Sequence, residues 1–362
     1  MKAAQITQYT KNIRIKVNNV PIPKMGDHDV LIRVKAAAVN PVDILNLTGA
    51  VRLIQDYRMP LTLGNECAGI VEKAGKDVTR FAVGDRVYSR VPISSLGAFA
   101  EYVAIPENAV AHMPDGLDFS VAVAIPLTGL TAYQAITEEL HAKPGETLFI
   151  PGGSGSFGQM AVPIAKALGL HVIVSGNGRA REAVLSAGAD QYIVYTEENY
   201  WERLSGVDYI IDTLGEKEFA HELSVLKEGG ILLSLRTAPN KSYAKKSNFP
   251  LIKQMMFSLA GLKYDMMARN QGKEYRFLFV RADGMQLEKI THIVETTKIL
   301  PHINSTWALP IKIVNAKKLL QVFAIFLNAF SILIGSGYSW FRCRFIGRSK
   351  AAYQRLRRHY YP

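Results

Sequence analysis

One short segment constrains the fold of this chain more than any other. The apolar run Thr147–Ile150 leads into Pro151-Gly-Gly-Ser-Gly-Ser-Phe-Gly158 and then into an apolar-faced helical stretch, Gly158–Leu168. A Gly-x-Gly-x-x-Gly spacing alone is a weak signal. Between a strand and a helix it specifies a tight turn whose glycines let backbone N–H groups approach a pyrophosphate and let the helix pack closely on the strand. The helix N-terminus adds the positive end of a dipole. Gly152, Gly153, Ser154, Gly155, Ser156, Phe157 and Gly158 are therefore candidates to hold a dinucleotide.

The next strand, His171–Ser175, decides which dinucleotide. An NAD site calls for Asp or Glu at its end, accepting from the ribose hydroxyls. Here the residues are Ser175-Gly-Asn-Gly-Arg179-Ala-Arg181, with no acid before Glu182. A carboxylate would repel a 2′-phosphate, whereas Ser175, Asn177 and Arg179 would bind it, so the expected cofactor is NADP(H). Further apolar strands follow at Tyr192–Tyr195, Val207–Asp212, Gly230–Ser234 and Tyr275–Val280. Helices are expected at Ala122–Leu140, Arg179–Ala187 and Gln286–Thr297. This alternation predicts an α/β fold with a doubly wound parallel sheet. The residues before it read differently. Lys2–Ile6, Ile13–Val17, Val30–Val39, Gly64–Val71, Arg86–Arg90 and Ala100–Ile105 are short strands separated by Gly, Asp and Pro, predicting a mostly antiparallel β domain.

Charge removes one class of function. The formal net charge is +12, yet every Asp and Glu lies at or before Glu295 and eleven Lys and Arg residues follow it. The body is thus near neutral and has no electrostatic footprint for nucleic acid. Cys67 and Cys343 are the only cysteines. They build neither a disulfide framework nor a Cys-based zinc knuckle. A cytoplasmic location is expected, since the N-terminus carries no signal-peptide pattern.

Several segments occur together in one order: Asn40-Pro-Val-Asp43, Gly64-Asn-Glu-Cys-Ala-Gly69, Phe81-Ala-Val-Gly-Asp-Arg-Val87, Gly97-Ala-Phe-Ala-Glu-Tyr102, Pro126-Leu-Thr-Gly-Leu-Thr-Ala-Tyr-Gln134 and the glycine turn. As a set, over roughly residues 1–305, they resemble the quinone oxidoreductase-like branch of the medium-chain dehydrogenase/reductase superfamily. The resemblance implies a GroES-like catalytic domain at 1–122, a Rossmann domain at 123–282 and a return to the catalytic domain at 283–309, with an atypical tail at 310–362. It also implies a cleft between the domains and homodimers formed through the Rossmann domain. Zinc alcohol dehydrogenases of the superfamily have Cys at the position of Asn40, His at Asn65 and a further Cys near Pro126-Leu127. Amides and apolar groups do not replace thiolate and imidazole as zinc ligands, so no metal is expected. Without a Lewis acid, alcohol oxidation is disfavoured. The zinc-free branch is similar to enzymes that reduce quinones, enals, enones and enoyl thioesters with NADPH.

Carried over from the family, Asn40 is assigned to substrate or nicotinamide contact and Thr128 to the nicotinamide. Leu233, Ser234 and Leu235 match the strand end that reads the carboxamide, and Asp212 the strand end beside the adenosine ribose. Asp43 is expected to structure its loop. Tyr57 is the aromatic acid/base candidate of the Ala50–Met59 loop, with solvent as the other proton source. The leading function is an NADPH-dependent reduction of a quinone or an α,β-unsaturated carbonyl. An enoyl-thioester reductase and a non-catalytic NADPH-binding protein are the alternatives. Past Pro310 the family's closing pattern is lost. Leu319–Phe341, uncharged and followed by basic residues, fits a membrane anchor, but its polar residues dilute it. A tail from an altered reading frame is the favoured account.

Overall fold

The computed structural model describes residues 1–11, 15–298 and 300–301. The tail at 310–362, with Leu319–Phe341, lies outside the described residues. The N-terminal strands are β1 (Lys2–Ile6), β2 (Lys16–Asn19), β3 (Asp29–Ala37), β4 (Leu61–Thr62), β5 (Glu66–Ala74), β6 (Arg86–Arg90), β7 (Tyr102–Pro106) and β8 (Ala111–His112). They form two antiparallel sheets, ordered β2-β1-β4 and β7-β3-β5-β6-β8. Val30 and Ile32 of β3 share a core with Val71, Val87, Val103 and Ile105, so the larger sheet has one apolar face.

The second half supplies β9 (Thr147–Ile150), β10 (His171–Gly176), β11 (Gln191–Val194), β12 (Val207–Asp212), β13 (Leu226–Ser234) and β14 (Glu274–Phe277). They form one sheet in the order β11-β10-β9-β12-β13-β14, every pair parallel. The order reverses direction at β9, between β10 and β12. This is the switch point at which a doubly wound sheet opens a crevice for a ligand. The glycine turn leaves β9 at that point. The Gly284–Thr297 helix, capped by Asp283, then packs on the Pro126–Gln134 helix and on β8, tying the parallel sheet back to the first domain.

Local corrections have local causes. The strand expected at Ile13–Val17 is found as β2, further along at Lys16–Asn19; residues 12–14 are outside the described chain. The helix expected at Ala122–Leu140 is split into Phe119–Ala122 and Pro126–Gln134, and ends in a wide π turn at Ala135–Glu139. Pro126 opens the second segment because proline lacks the N–H that a first helical turn leaves unused. The glycine-turn helix starts at Ser156, two residues earlier than expected. Within Phe119–Glu139 the chain is apolar and long enough to cross a membrane, and most of that stretch is buried in the protein as a core element.

The C-terminal ends of β12 and β13 are locked together by side chains. Asp212 Oδ1 accepts from the N–H groups of Leu214 and Gly215, both at 2.7 Å. Its Oδ2 accepts from the Ser234 hydroxyl at 2.5 Å, and Ser234 Oγ in turn accepts from the N–H groups of Arg236 and Thr237. Beneath this clamp the Phe219–Val225 helix buries Glu222, whose carboxyl lies beside Asp212 with neither oxygen satisfied by a donor. Burial, with Asp212 adding to it, raises its pKa well above the usual carboxylate value. A carboxyl raised in the folded state contributes stability that is full below its unfolded pKa and is lost as pH rises through the folded value. Thermal melts from pH 5 to 8 should therefore show Glu222→Gln gaining on the parent as pH rises. Melting curves that stay parallel across that range would contradict this assignment.

Candidate functional site

The glycines of the turn divide their tasks by position. Gly152 has φ +69°, a left-handed conformation, and a Cβ there would meet Leu214 and Thr213 within 2.7 Å. A Cβ on Gly158 would lie 1.8 Å from the carbonyl oxygen of Gly153, so this glycine is what lets the helix seat against the turn. Gly155 differs: a Cβ there would meet nothing within 4 Å. Protein packing does not require that glycine. Open space above an exposed Gly155 and Ser156, at the N-terminus of a 12-residue helix, is the cradle a pyrophosphate needs. Ser154 is half-buried beside it and accepts from the Asn177 amide at 3.3 Å; Phe157 is half-buried against the core.

At the end of β10, Ser175 is buried and its hydroxyl accepts from the Gly152 N–H at 3.4 Å, joining the strand end to the turn. Asn177 caps the short Gly178–Ala180 turn by accepting from the Ala180 N–H at 3.1 Å. Arg179 and Arg181 are exposed. Tyr195, just past β11, stands 62% exposed, and its N–H bonds the Gly176 carbonyl, so an aromatic ring joins this rim. Sequence reasoning passed over it because its signal, an aromatic just beyond an apolar strand, also describes a packing residue. Leu233 and Ser234 are buried, and Leu235 is half-buried at the strand end. The Asp212 carboxylate holds the two strand ends together inside the clamp.

The other wall comes from the first domain. Residues Pro41–Thr48 form a helix where a loop was expected. Asn40 is its N-cap, Pro41 opens its first turn, Asp43 completes a capping box and Gly49 closes it at φ 76°. The Asn40 N–H donates to Asp43 Oδ2 at 2.8 Å, so Asp43 structures this element as expected, but within a helix. The Asn40 amide donates to Glu66 Oε1 at 2.6 Å, and Glu66 Oε2 accepts from the Leu127 N–H at 2.8 Å. Asn65 donates to Asp43 Oδ1 at 2.6 Å and accepts from Asn46 at 3.3 Å. Asn40 is only 8% exposed, and an N–H of its side-chain amide is taken up by Glu66. In that geometry it supports the wall. Thr128, one residue beyond the Leu127 anchor, is 7% exposed and turns its hydroxyl to the Ala124 carbonyl.

Burial pushes both Asp43 and Glu66 up to about 7, while Arg90 at the end of β6, fully buried among them, is pulled down to about 10. The burial of Arg90 was not foreseen. Its signal was parity: in Arg86-Val-Tyr-Ser-Arg90 it shares a strand face with buried Tyr88. Tyr57 is half-buried in the fields of Arg90 and Asp43, and burial raises its phenol. Cys67, next to Glu66, is buried and raised to about 12, a packing residue and not a nucleophile. Among the described residues there is no group of three or more His, Cys, Asp or Glu side chains able to hold a metal ion. The wall is a hydrogen-bonded cluster of amides and carboxyls around Arg90.

The chain is similar to known proteins. Residues 26–115 match the family model "Alcohol dehydrogenase GroES-like domain", and residues 157–262 match "Zinc-binding dehydrogenase". A quinone oxidoreductase from Pongo abelii is 32% identical over 264 residues, spanning 68% of this chain and 78% of that protein. A 2-methylene-furan-3-one reductase from Solanum lycopersicum is 33% identical over 267 residues, spanning 70% and 68% respectively. The structure of a quinone oxidoreductase from Coxiella burnetii superposes with a TM-score of 0.72 at 26% identity, covering 89% of this chain and 96% of that one. With its GroES-like domain, its parallel Rossmann sheet and these relatives, the chain belongs to the quinone oxidoreductase-like branch of the medium-chain dehydrogenase/reductase superfamily of oxidoreductases.

Proposed function

We propose that this oxidoreductase reduces quinones or α,β-unsaturated carbonyl compounds with NADPH, without zinc. One observation carries the reading. The positions at which zinc alcohol dehydrogenases of the superfamily hold their metal are occupied here by Asn40 and Asn65, and the space between the domains is bridged by Asn40–Glu66–Leu127 hydrogen bonds. These amide donors are already committed and are poor zinc ligands. The substrate classes are those in the names of the quinone oxidoreductase and furanone reductase relatives.

When bound, NADPH supplies a hydride. The protein's own groups do the rest. Gly152–Gly158 and the helix dipole behind them seat the pyrophosphate. Asn177 and Arg179, with no carboxylate at the end of β10, receive the 2′-phosphate, and the exposed Tyr195 ring borders the same rim. The clamped strand end at Leu233–Leu235 and the Thr128 segment position the nicotinamide against the wall supported by Asn40. A bound acceptor's oxygen would gain negative charge on reduction, and the Tyr57 hydroxyl, which has no hydrogen-bond partner among the described residues, is the proton donor of this reading, with solvent as the other source. A second copy of the chain completes the proposal. Among the described residues β14 ends the parallel sheet, and that edge is where a partner would extend it.

Two measurements test this. Purified protein should oxidise NADPH in the presence of quinones and enones, followed at the nicotinamide absorbance. Arg179→Glu should raise the Kd for NADPH by about 10- to 100-fold while changing that for NADH by less than about threefold. Equal losses for both cofactors would contradict the 2′-phosphate assignment. In the turn, Gly155→Val should leave the melting temperature near the parent's and abolish NADPH binding. Gly158→Ala should cost about 3 kcal/mol of stability through its clash with Gly153. Normal NADPH binding by Gly155→Val would mean that the open space is not the cradle.

A further inference from the structure

The Leu251–Arg269 helix is apolar on two opposite sides, and the fold uses one of them. Phe257, Gly261, Tyr264 and Ala268 recur at helical spacing and are buried. Tyr264 packs its ring on Phe219 and Tyr275, at centroid distances of 4.9 and 5.5 Å. Gly261 admits Asn240, whose Cβ would lie 2.4 Å from a Cβ added there. This side seats the helix on β14 and on the short Lys241–Lys246 helix. On the opposite side Ile252, Met255, Leu259, Leu262 and Met266 recur at alternate steps of three and four residues. Leu251 and Met256 widen that stripe. All seven side chains are between 45% and 77% exposed. Single exposed leucines are ordinary, but a contiguous stripe of this size marks an interaction surface.

Spacing, area and charge together select what covers it. Alternate steps of three and four make the seam that one helix presents to another, where side chains fill the gaps between successive turns. Seven large apolar side chains offer an area on the order of the ~800 Å² per partner that a stable interface covers. The stripe itself carries no charge, and the helix's own charges do not give it a basic border. Lys263 pairs with Glu216 at 2.6 Å, and Lys253 lies over the Phe249 ring. Arg269 shares one surface cavity with Asp265. An anionic lipid surface calls for a strongly basic rim. A two-fold interface sets a patch against its own copy, which suits an uncharged stripe.

We propose that this stripe is a self-association surface, on which the Leu251–Arg269 helices of two copies of the chain pack antiparallel about Leu259, the middle of the seam. Antiparallel packing also sets the positive end of each helix dipole beside the negative end of the other. The stripe lies opposite the side that packs on β14, so this contact is separate from the β14 edge. A chain that used both surfaces would form a tetramer with two kinds of two-fold interface. The inference goes beyond the reductase reading and does not depend on it.

The test is the mass of the full chain in solution, measured by sedimentation for the parent and for a variant carrying Leu259→Lys and Leu262→Lys. The parent should be a dimer or a tetramer, and the variant should have half its mass. Leu259→Gln with Leu262→Gln serves as the second variant should the lysine form fail to fold. Met285→Lys, at an exposed residue of the Gly284–Thr297 helix, should keep the parent's mass. A cross-link reads the same contact directly. With Cys343→Ser as background and Cys67 buried, Leu259→Cys should oxidise to a disulfide-linked dimer and Met285→Cys should not. A monomeric parent overturns the proposal, and its binding to phosphatidylserine vesicles, lost in the lysine variant, assigns the stripe to lipid instead. A multimeric parent whose mass is unchanged by both stripe variants also overturns it.

Discussion

The Glu66 carboxylate holds the two halves of this protein in register. It sits at the start of β5 in the antiparallel sheet, takes the Asn40 amide from the N-cap of the Pro41–Thr48 helix, and takes the Leu127 N–H from the helix that opens the Rossmann unit. A buried carboxylate is stable only when its lone pairs are met by donors. Each domain supplies part of that set, so neither satisfies Glu66 alone. Thr128 follows directly on the Leu127 anchor, so its place is set by this bridge.

On the proposed reading, the same bridge separates the chemistry from that of the zinc members of the superfamily. A tetrahedral zinc site needs thiolates and imidazoles free to bind metal. Here the equivalent positions are amides whose hydrogen bonds close the space from within. What remains is a compact interior of two carboxyls, three asparagines and one guanidinium, with Tyr57 at its edge. Burial pushes Asp43 and Glu66 up to about 7, so these buried carboxyls are only partly charged at neutral pH.

The Rossmann half was legible in the residues because its signals are local. β9, β12 and the glycine turn follow from short apolar runs punctuated by glycine, and β12 was placed residue for residue at Val207–Asp212. The Pro41–Thr48 helix was not legible. Pro41 reads equally as the end of a strand and as the first turn of a helix, and only the Asp43 cap separates the two. The internal partners of Asn40 and Asp212 were not legible for a related reason. Polar residues at strand and helix ends serve ligands or structure according to which atoms are already taken, and that depends on partners distant in the chain: Glu66 for Asn40, Ser234 for Asp212. Arg90 was hidden by its type, since an arginine in a short strand is read as exposed unless its strand face is followed.

The most direct test of the account compares the metal content of the protein, purified without added metal, with its single-turnover rate on bound NADPH and a quinone. The account predicts hydride transfer by protein holding far less than one zinc per chain, at a rate that added zinc leaves unchanged. Turnover that scales with bound zinc would contradict it, because the Asn40–Glu66–Leu127 bridge would then not occupy the place of the metal.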